Sequence, residues 1–253
     1  MSGHSKWASI KHKKGAADAK RGKLFTKLIK EITIAARHGG GKPEANPSLR
    51  LAISKAKQAN MPADNIDRAI KKGTGELEGI NYEEVVYEGY GAAGIAMYVE
   101  VLTDNKNRTT AEIRNIFAKY GGNMANTGSV SWMFEKKGYF AIDKETISED
   151  ALMSIALENG AEDLTSEGDT FEIKTLPQDF EKVKQSLEEK SIKVASAEIT
   201  MIPKTTIKVT DEKAKKVLSL VDALEDNDDV QNVYANFDIP EDVLEKAETE
   251  GEG

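Results

Sequence analysis

The apolar residues change their repeat near Gly75, from every three or four positions to every second, and the formal charge changes sign at the same place. Residues 1–75 hold 17 Lys and Arg against 5 Asp and Glu, a formal +12. The rest holds 18 against 38, a formal −20, so the chain of 253 residues carries −8. A helical repeat will not sit as a strand, nor the reverse. The chain therefore divides into a basic helical part and an acidic α+β part. A polyanion should meet only the first, because the second repels it.

In the basic part, residues 2–19 read as an arm with Lys6, Lys11, Lys13, Lys14, His4, His12 and one aromatic, Trp7. The arm has little apolar surface to bury, which predicts that it orders only on binding. The spacing then predicts a helix over about Lys20–Arg37. Leu24, Phe25, Leu28, Ile29, Ile32 and Ala36 form its apolar face. Lys20, Lys23, Lys27, Lys30 and Arg37 fall in an arc of roughly 100° on the opposite side, with Arg21 at the margin. Gly39-Gly40-Gly41 ends this helix. Asn46-Pro47 caps and starts a second, with Leu49, Ala52, Ile53 and Ala56 inward. Met61-Pro62 breaks it, and a third runs from Pro62 to Lys72 and stops at Gly73. Helices this short need one another's apolar faces, so they form a three-helix unit.

In the acidic part, Glu83–Glu88 and Ile95–Leu102 alternate as strands, Arg108–Tyr120 is an amphipathic helix, and Ser129–Phe134 is a further strand. Asp104 or Asn107 is the expected helix cap. The order after residue 134 is βαββαβ, the split motif of ferredoxin-like folds. Thr205–Val209, Asp211–Leu224 and Val230–Ala235 then read as strand, helix and strand, available to complete the sheet begun before residue 134. The expected fold class is α+β: an N-terminal three-helix domain, then two ferredoxin-like domains, the last inserted into the middle one. The expected domains are 1–75, then 80–134 with 202–238, then 135–201 as the insert, with 239–253 as an acidic tail.

Several chemistries are excluded. Cysteine is absent, which removes disulfides, thiolate metal sites and cysteine nucleophiles. His4, His12 and His38 are the only histidines, none four residues from another, so neither a zinc site nor a histidine base in the acidic part is expected. Gly89-Tyr90-Gly91-Ala92-Ala93-Gly94 matches G-x-G-x-x-G, but a strand follows where a dinucleotide site needs a helix, so it reads as a hairpin turn. Asp226-Asn227-Asp228-Asp229 lacks the Gly and terminal Glu of a calcium loop and reads as a solvated turn. No apolar run approaches the ~18 residues of a membrane span, and the basic N-terminus is no secretory leader. A cytoplasmic, non-enzymatic protein is expected, with no cofactor, metal, membrane or small-molecule substrate. The loops at residues 102–110 and 121–129 remain as candidates for close backbone contact with nucleic acid.

Ser2-Gly3-His4-Ser5-Lys6-Trp7, Lys11-His12-Lys13-Lys14-Gly15 and Arg21-Gly22-Lys23-Leu24-Phe25-Thr26-Lys27-Leu28 resemble the opening of the YebC family. Asn46-Pro47-Ser48-Leu49-Arg50, Asn60-Met61-Pro62 and Arg68-Ala69-Ile70-Lys71-Lys72-Gly73 continue the resemblance. So do Tyr87-Glu88-Gly89-Tyr90-Gly91, Leu102-Thr103-Asp104-Asn105 and Asn107-Arg108-Thr109. Two departures stand out. Ala92-Ala93 replaces a frequent Pro-Gly, and Met124-Ala125-Asn126 a frequent Leu-Gly. The resemblance implies one helical and two α+β domains, and a DNA-binding transcriptional regulator. A mitochondrial relative is a translational activator, and bacterial relatives are tied to ribosomes, so RNA in the ribosome is the alternative target, in translation through proline-rich stretches.

The expected nucleic-acid contacts are Lys6, Trp7, Lys11, His12, Lys13, Lys14, Lys20, Arg21, Lys23, Lys27, Lys30, Arg37, Lys71, Lys72 and Arg108. No grouped Arg, Asn and Gln suggests a base-reading helix, so contact should be mainly with phosphate. If Trp7 stacks on a base, Trp7→Ala will weaken binding by ~1–3 kcal/mol. Unchanged affinity in a filter-binding titration would show that Trp7 does not stack.

Overall fold

A computed structural model describes residues 18–240 and Val243. The arm residues Lys6 to Lys14, with Trp7, lie outside this range. Helix α1 spans Asp18–Gly39, α2 Pro47–Gln58 and α3 Ala63–Thr74. Leu28, Ile32 and Ala36 of α1 pack with Leu49, Ala52 and Ala56 of α2 and with Ile66 and Ala69 of α3, all buried. Burying such side chains contributes ~1.5–3 kcal/mol for each of the larger ones, which is what holds three short helices together.

Asn46 ties the helix ends. Its Oδ1 accepts from the Leu49 amide at 3.1 Å and caps α2, while its Nδ2 donates to the Ala35 carbonyl at 2.8 Å and the Gly40 carbonyl at 2.9 Å. Gly73 does not stop α3, contrary to the sequence expectation; Gly75 does, at φ 82°. Gly73 instead lies against α1, where a Cβ would overlap the Thr33 carbonyl and stand 2.7 Å from the Ala36 Cβ.

Beyond α3 come β1 (Glu83–Tyr90), β2 (Ala96–Thr103), α4 (Lys106–Lys119) and β3 (Asn123–Ala125). Then follow β4 (Phe134–Asp143), α5 (Glu149–Glu158), β5 (Ala161–Glu167), β6 (Thr170–Thr175), α6 (Phe180–Glu189) and β7 (Ser196–Pro203). The last elements are β8 (Ile207–Lys208), α7 (Asp211–Glu225), β9 (Val230–Ala235) and β10 (Phe237–Asp238). The fold is α+β.

Two compact units result. One joins the described residues up to 131 with 209–235 and those from 239 on, and the other joins 132–208 with 236–238. In the first, the sheet order is β3-β1-β2-β9, antiparallel throughout, with α4 and α7 packed on it and on each other. Numbered by chain order, its strands lie 3-1-2-4, whereas those of the second unit lie 2-3-1-4. Strand β9 joins this sheet from far along the sequence, its Val230 and Val233 pairing with Val101 and Val99 of β2, and all four are buried, as are Phe117 and Leu224. In the second unit the order is β5-β6-β4-β7, the ferredoxin-like βαββαβ arrangement. The Phe140 and Phe180 rings stack in its core at 4.8 Å.

Two strand expectations are corrected. Residues 129–133 form no strand but a loop and one 3-10 turn, and β4 is the longer strand that follows. The segment near 205–209 does not join the middle sheet. Its Ile207–Lys208 pairs in parallel with Phe237–Asp238. The glycine-rich run at 89–94 is a hairpin turn between antiparallel β1 and β2, closed by the Gly91 amide on the Ile95 carbonyl at 2.8 Å.

That turn places Ala93 at φ 60°, ψ 13°, the left-handed region that disfavours a Cβ. Ala93→Gly is expected to stabilise the protein by about 1 kcal/mol, read as a higher urea midpoint at unchanged slope. Gly73→Ala is expected to destabilise it by ~1–3 kcal/mol, because backbone and a short side chain must move aside. Equal midpoints for wild type and both variants would contradict these placements.

Candidate nucleic-acid interface

Helix α1 buries two faces. The apolar stripe faces α2 and α3, as expected. Lys23, Lys27 and Lys30 of the basic arc meet the C-terminal end of α7 and the acidic segment after it. Lys23 Nζ lies 3.2 Å from the Asp226 carbonyl and 3.5 Å from its carboxylate. Lys27 Nζ donates to the Glu225 carbonyl at 2.5 Å. Lys30 Nζ donates to the Asp228 carbonyl at 2.9 Å and to Asp229 Oδ1 at 2.7 Å. Cations here answer the unpaired carbonyls and negative end of α7. Burial lowers the Lys27 pKa even though Glu225, Asp228 and Asp226 favour its charge. Residues 226–229 form a turn with Asp226 and Asp228 exposed, as read from the sequence, but Asp229 is buried; likewise Lys23 is exposed while Lys30 is buried, which corrects the reading of that lysine as an open contact.

Asp229 is the centre of this contact. Its side chain and that of Lys30 are each 7% exposed. Besides Lys30, its carboxylate accepts from Arg108 Nη2 at 2.6 Å, Thr109 Oγ1 at 2.7 Å and Thr103 Oγ1 at 3.1 Å. Burial alone would raise its pKa. The bonds from Lys30, Thr109 and Arg108 outweigh burial and hold it at about 2. Arg108 also pairs with Asp104 at 2.9 Å and lies 3.8 Å from Glu112. With Asp104 so engaged, Asn105 rather than Asp104 or Asn107 caps α4, accepting from the Arg108 amide at 3.1 Å.

A second buried carboxylate fixes the loop that follows β3. Glu88 accepts from the amides of Gly128 at 2.7 Å, Val130 at 2.6 Å and Ser131 at 2.9 Å. Burial would raise its pKa, but these three donors outweigh it and lower the pKa. Residues 126–128 remain exposed on this anchored loop.

Of the expected contacts within the described residues, Arg21, Lys23 and Lys71 are exposed. Lys30 is buried. Lys27, Lys72 and Arg37 are half-buried, and Arg37 donates to the carbonyls of Ile80 and Tyr82 at 3.1 and 3.3 Å. Lys20 lies in the first turns of α1, and Arg108 is 44% exposed among its carboxylates. Sequence reasoning misses Lys42, Arg50, Lys57 and Arg68, all four of which are exposed, with Arg50 donating to the Pro43 carbonyl at 3.0 Å. Arg50 and Lys57 are seven residues apart on α2 and share a face. A sequence clue exists: between Glu44 and Asp64 there are three cations and no carboxylate. Among the described residues, no group of His, Cys, Asp and Glu could hold a metal ion, and no helix is long and apolar enough to cross a membrane.

Because Asp229 has a depressed pKa in the folded state, its contribution is full above about pH 4 and fades as pH falls through about 2. That contribution is about 2 kcal/mol. Asp229→Asn is expected to cost ~3–5 kcal/mol at neutral pH by leaving Lys30 buried beside no charge. The gap between wild type and variant in urea unfolding should narrow by about 2 kcal/mol from pH 4 to pH 2. A gap independent of pH would show that Asp229 is not the anchoring charge. Adding Lys30→Met to Asp229→Asn should recover part of the loss.

Similarity to known proteins extends along the whole length. Residues 5–76 match the family model described as the TACO1/YebC protein N-terminal domain, and residues 82–237 match the model for the TACO1/YebC second and third domain. A protein of Sulfurihydrogenibium sp. strain YO3AOP1 is 60% identical, covering 98% of this chain and 100% of its own. One from Desulforapulum autotrophicum is 59% identical, covering 97% and 99%. One from Syntrophus aciditrophicus is 60% identical with the same coverage. All three are named probable transcriptional regulatory proteins. The crystal structure of a conserved hypothetical protein from Aquifex aeolicus superposes with TM-score 0.79 at 51% identity, over 90% of this chain and 94% of that one. Shared sequence over both matched regions and a shared fold place the chain in the TACO1/YebC family.

Proposed function

We propose that this chain is a non-enzymatic, cytoplasmic regulator of gene expression that binds DNA through its basic N-terminal part and acts on transcription. The supporting observation is the formal +12 on residues 1–75 of a chain that is otherwise acidic. The names of its relatives as transcriptional regulators favour the same reading. Since Lys27 and Lys30 are engaged within the protein, the accessible cations lie elsewhere. Arg50, which also donates to the Pro43 carbonyl, and Lys57 on the carboxylate-free α2, with Arg21 and Lys71, offer exposed charge. The arm cations Lys6, Lys11, Lys13 and Lys14 add to them. Contacts of this kind neutralise phosphate and release counterions, which gives strong salt dependence and weak sequence preference.

The test is a fluorescence-anisotropy titration of the full chain on duplex DNA between about 50 and 200 mM salt. Arg50→Ala with Lys57→Ala is expected to flatten the log-affinity against log-salt slope by about 1.8, at ~0.9 for each phosphate left unneutralised. An unchanged slope would exclude α2 from the interface. Crosslinking in cells, followed by sequencing, identifies the target. Recovery of discrete promoter DNA supports the proposal, and recovery of ribosomal RNA alone overturns it in favour of translation.

A further inference from the structure

The contact between α1 and the end of α7 is graded along its length. At its inner end, Lys30 and Asp229 are each 7% exposed and 2.7 Å apart. At its outer end, Lys23 is 47% exposed, Asp226 is 76% exposed, and they are 3.5 Å apart. Lys27 lies between, held by the backbone carbonyl of Glu225 rather than by a carboxylate. Exposed ion pairs of the outer kind contribute little and weaken with salt. The inner pair cannot open without stranding a buried charge. One end is therefore fixed and the other is displaceable.

The covering segment also resembles the ligand. Residues 225–229 read Glu-Asp-Asn-Asp-Asp, four carboxylates in five positions, laid along cations that are spaced four and three residues apart on one helix. A phosphate backbone offers the same sign at similar density.

We propose that the acidic segment Glu225–Asp229 is an internal competitor for nucleic acid. It occupies Lys23 and Lys27 in the free protein and yields them to phosphate on binding, while Lys30–Asp229 stays closed as the hinge. This rests on the nucleic-acid reading above. The competition sets affinity: the protein holds two of its cations back until a polyanion of sufficient charge density displaces the acidic segment.

The test compares the full chain, Asp226→Asn/Asp228→Asn, and a charge-matched control, Glu158→Gln/Asp169→Asn, on duplex DNA across a salt series. The first variant leaves Asp229 and Lys30 intact. It is expected to bind ~3- to 30-fold more tightly than wild type at about 50 mM salt, from release of the weak Lys23–Asp226 pair and loss of the Asp228 charge beside Lys27. Its salt slope should steepen by about 1 as Lys23 reaches phosphate, and by up to about 2 if phosphate also draws Lys27 from the Glu225 carbonyl. The control should move both quantities by less than half as much. Removing the cations as Lys23→Gln/Lys27→Gln should cost more affinity in the Asp226→Asn/Asp228→Asn background than in wild type. Equal gains in variant and control, or a cost independent of background, would overturn the competition while leaving nucleic-acid binding in place. Failure of all the proteins to bind DNA or RNA would instead overturn the nucleic-acid reading, and the competition with it.

Discussion

A buried carboxylate with four donors organises the first compact unit. Asp229 brings together α1 through Lys30, the end of β2 through Thr103 and the start of α4 through Thr109 and Arg108. Each of these groups would be costly to bury alone, and satisfying them jointly is what makes the site tolerable. Such a cluster adds little net stability over an apolar core of the same volume, but removing one member leaves the others stranded. Its role is to fix which face of α1 meets the sheet. An apolar interface would tolerate slippage along the helix. An ammonium that must meet the Asp229 carboxylate and the carbonyls of Leu102 and Asp228 does not.

Much of the fold is legible in the residues. The period change near Gly75, the Asn46-Pro47 helix start and the βαββαβ order all carry local signals, and local signals determine element type. The glycine-rich run at 89–94 is recognisable as a turn because the residues after it alternate. The misreadings share one cause. Periodicity tells which side chains lie on one face of α1, but not what lies against that face. The partner of Lys30 stands 199 positions away. Likewise Asp104, Asn105 and Asn107 all have capping chemistry; the helix begins at Lys106, so Asn105 caps it, while Asp104 is paired with Arg108.

The candidate interface is less legible than the fold. Lysines on a regular arc invite a ligand, yet the same pattern serves an internal contact with the end of another helix. Arg50 and Lys57 are easily missed because α2 reads first as a core helix. Its lack of carboxylates is visible only when charges of both signs are followed together. Glu88 shows the converse. A glutamate in an alternating strand reads as a solvent-facing residue, but here it is 2% exposed and serves as the anchor of a glycine-containing loop.

The long sequence interval between Lys30 and Asp229 matters during synthesis. A ribosome adds ~5–20 residues each second, so roughly 10–40 s separate the emergence of the two partners. Throughout that time the three helices can fold, but strand β2 lacks β9 on one side and the lysines of α1 have nothing covering them. A nascent chain therefore carries its full cationic face in the open, next to ribosomal RNA, until the carboxylates near its end are made.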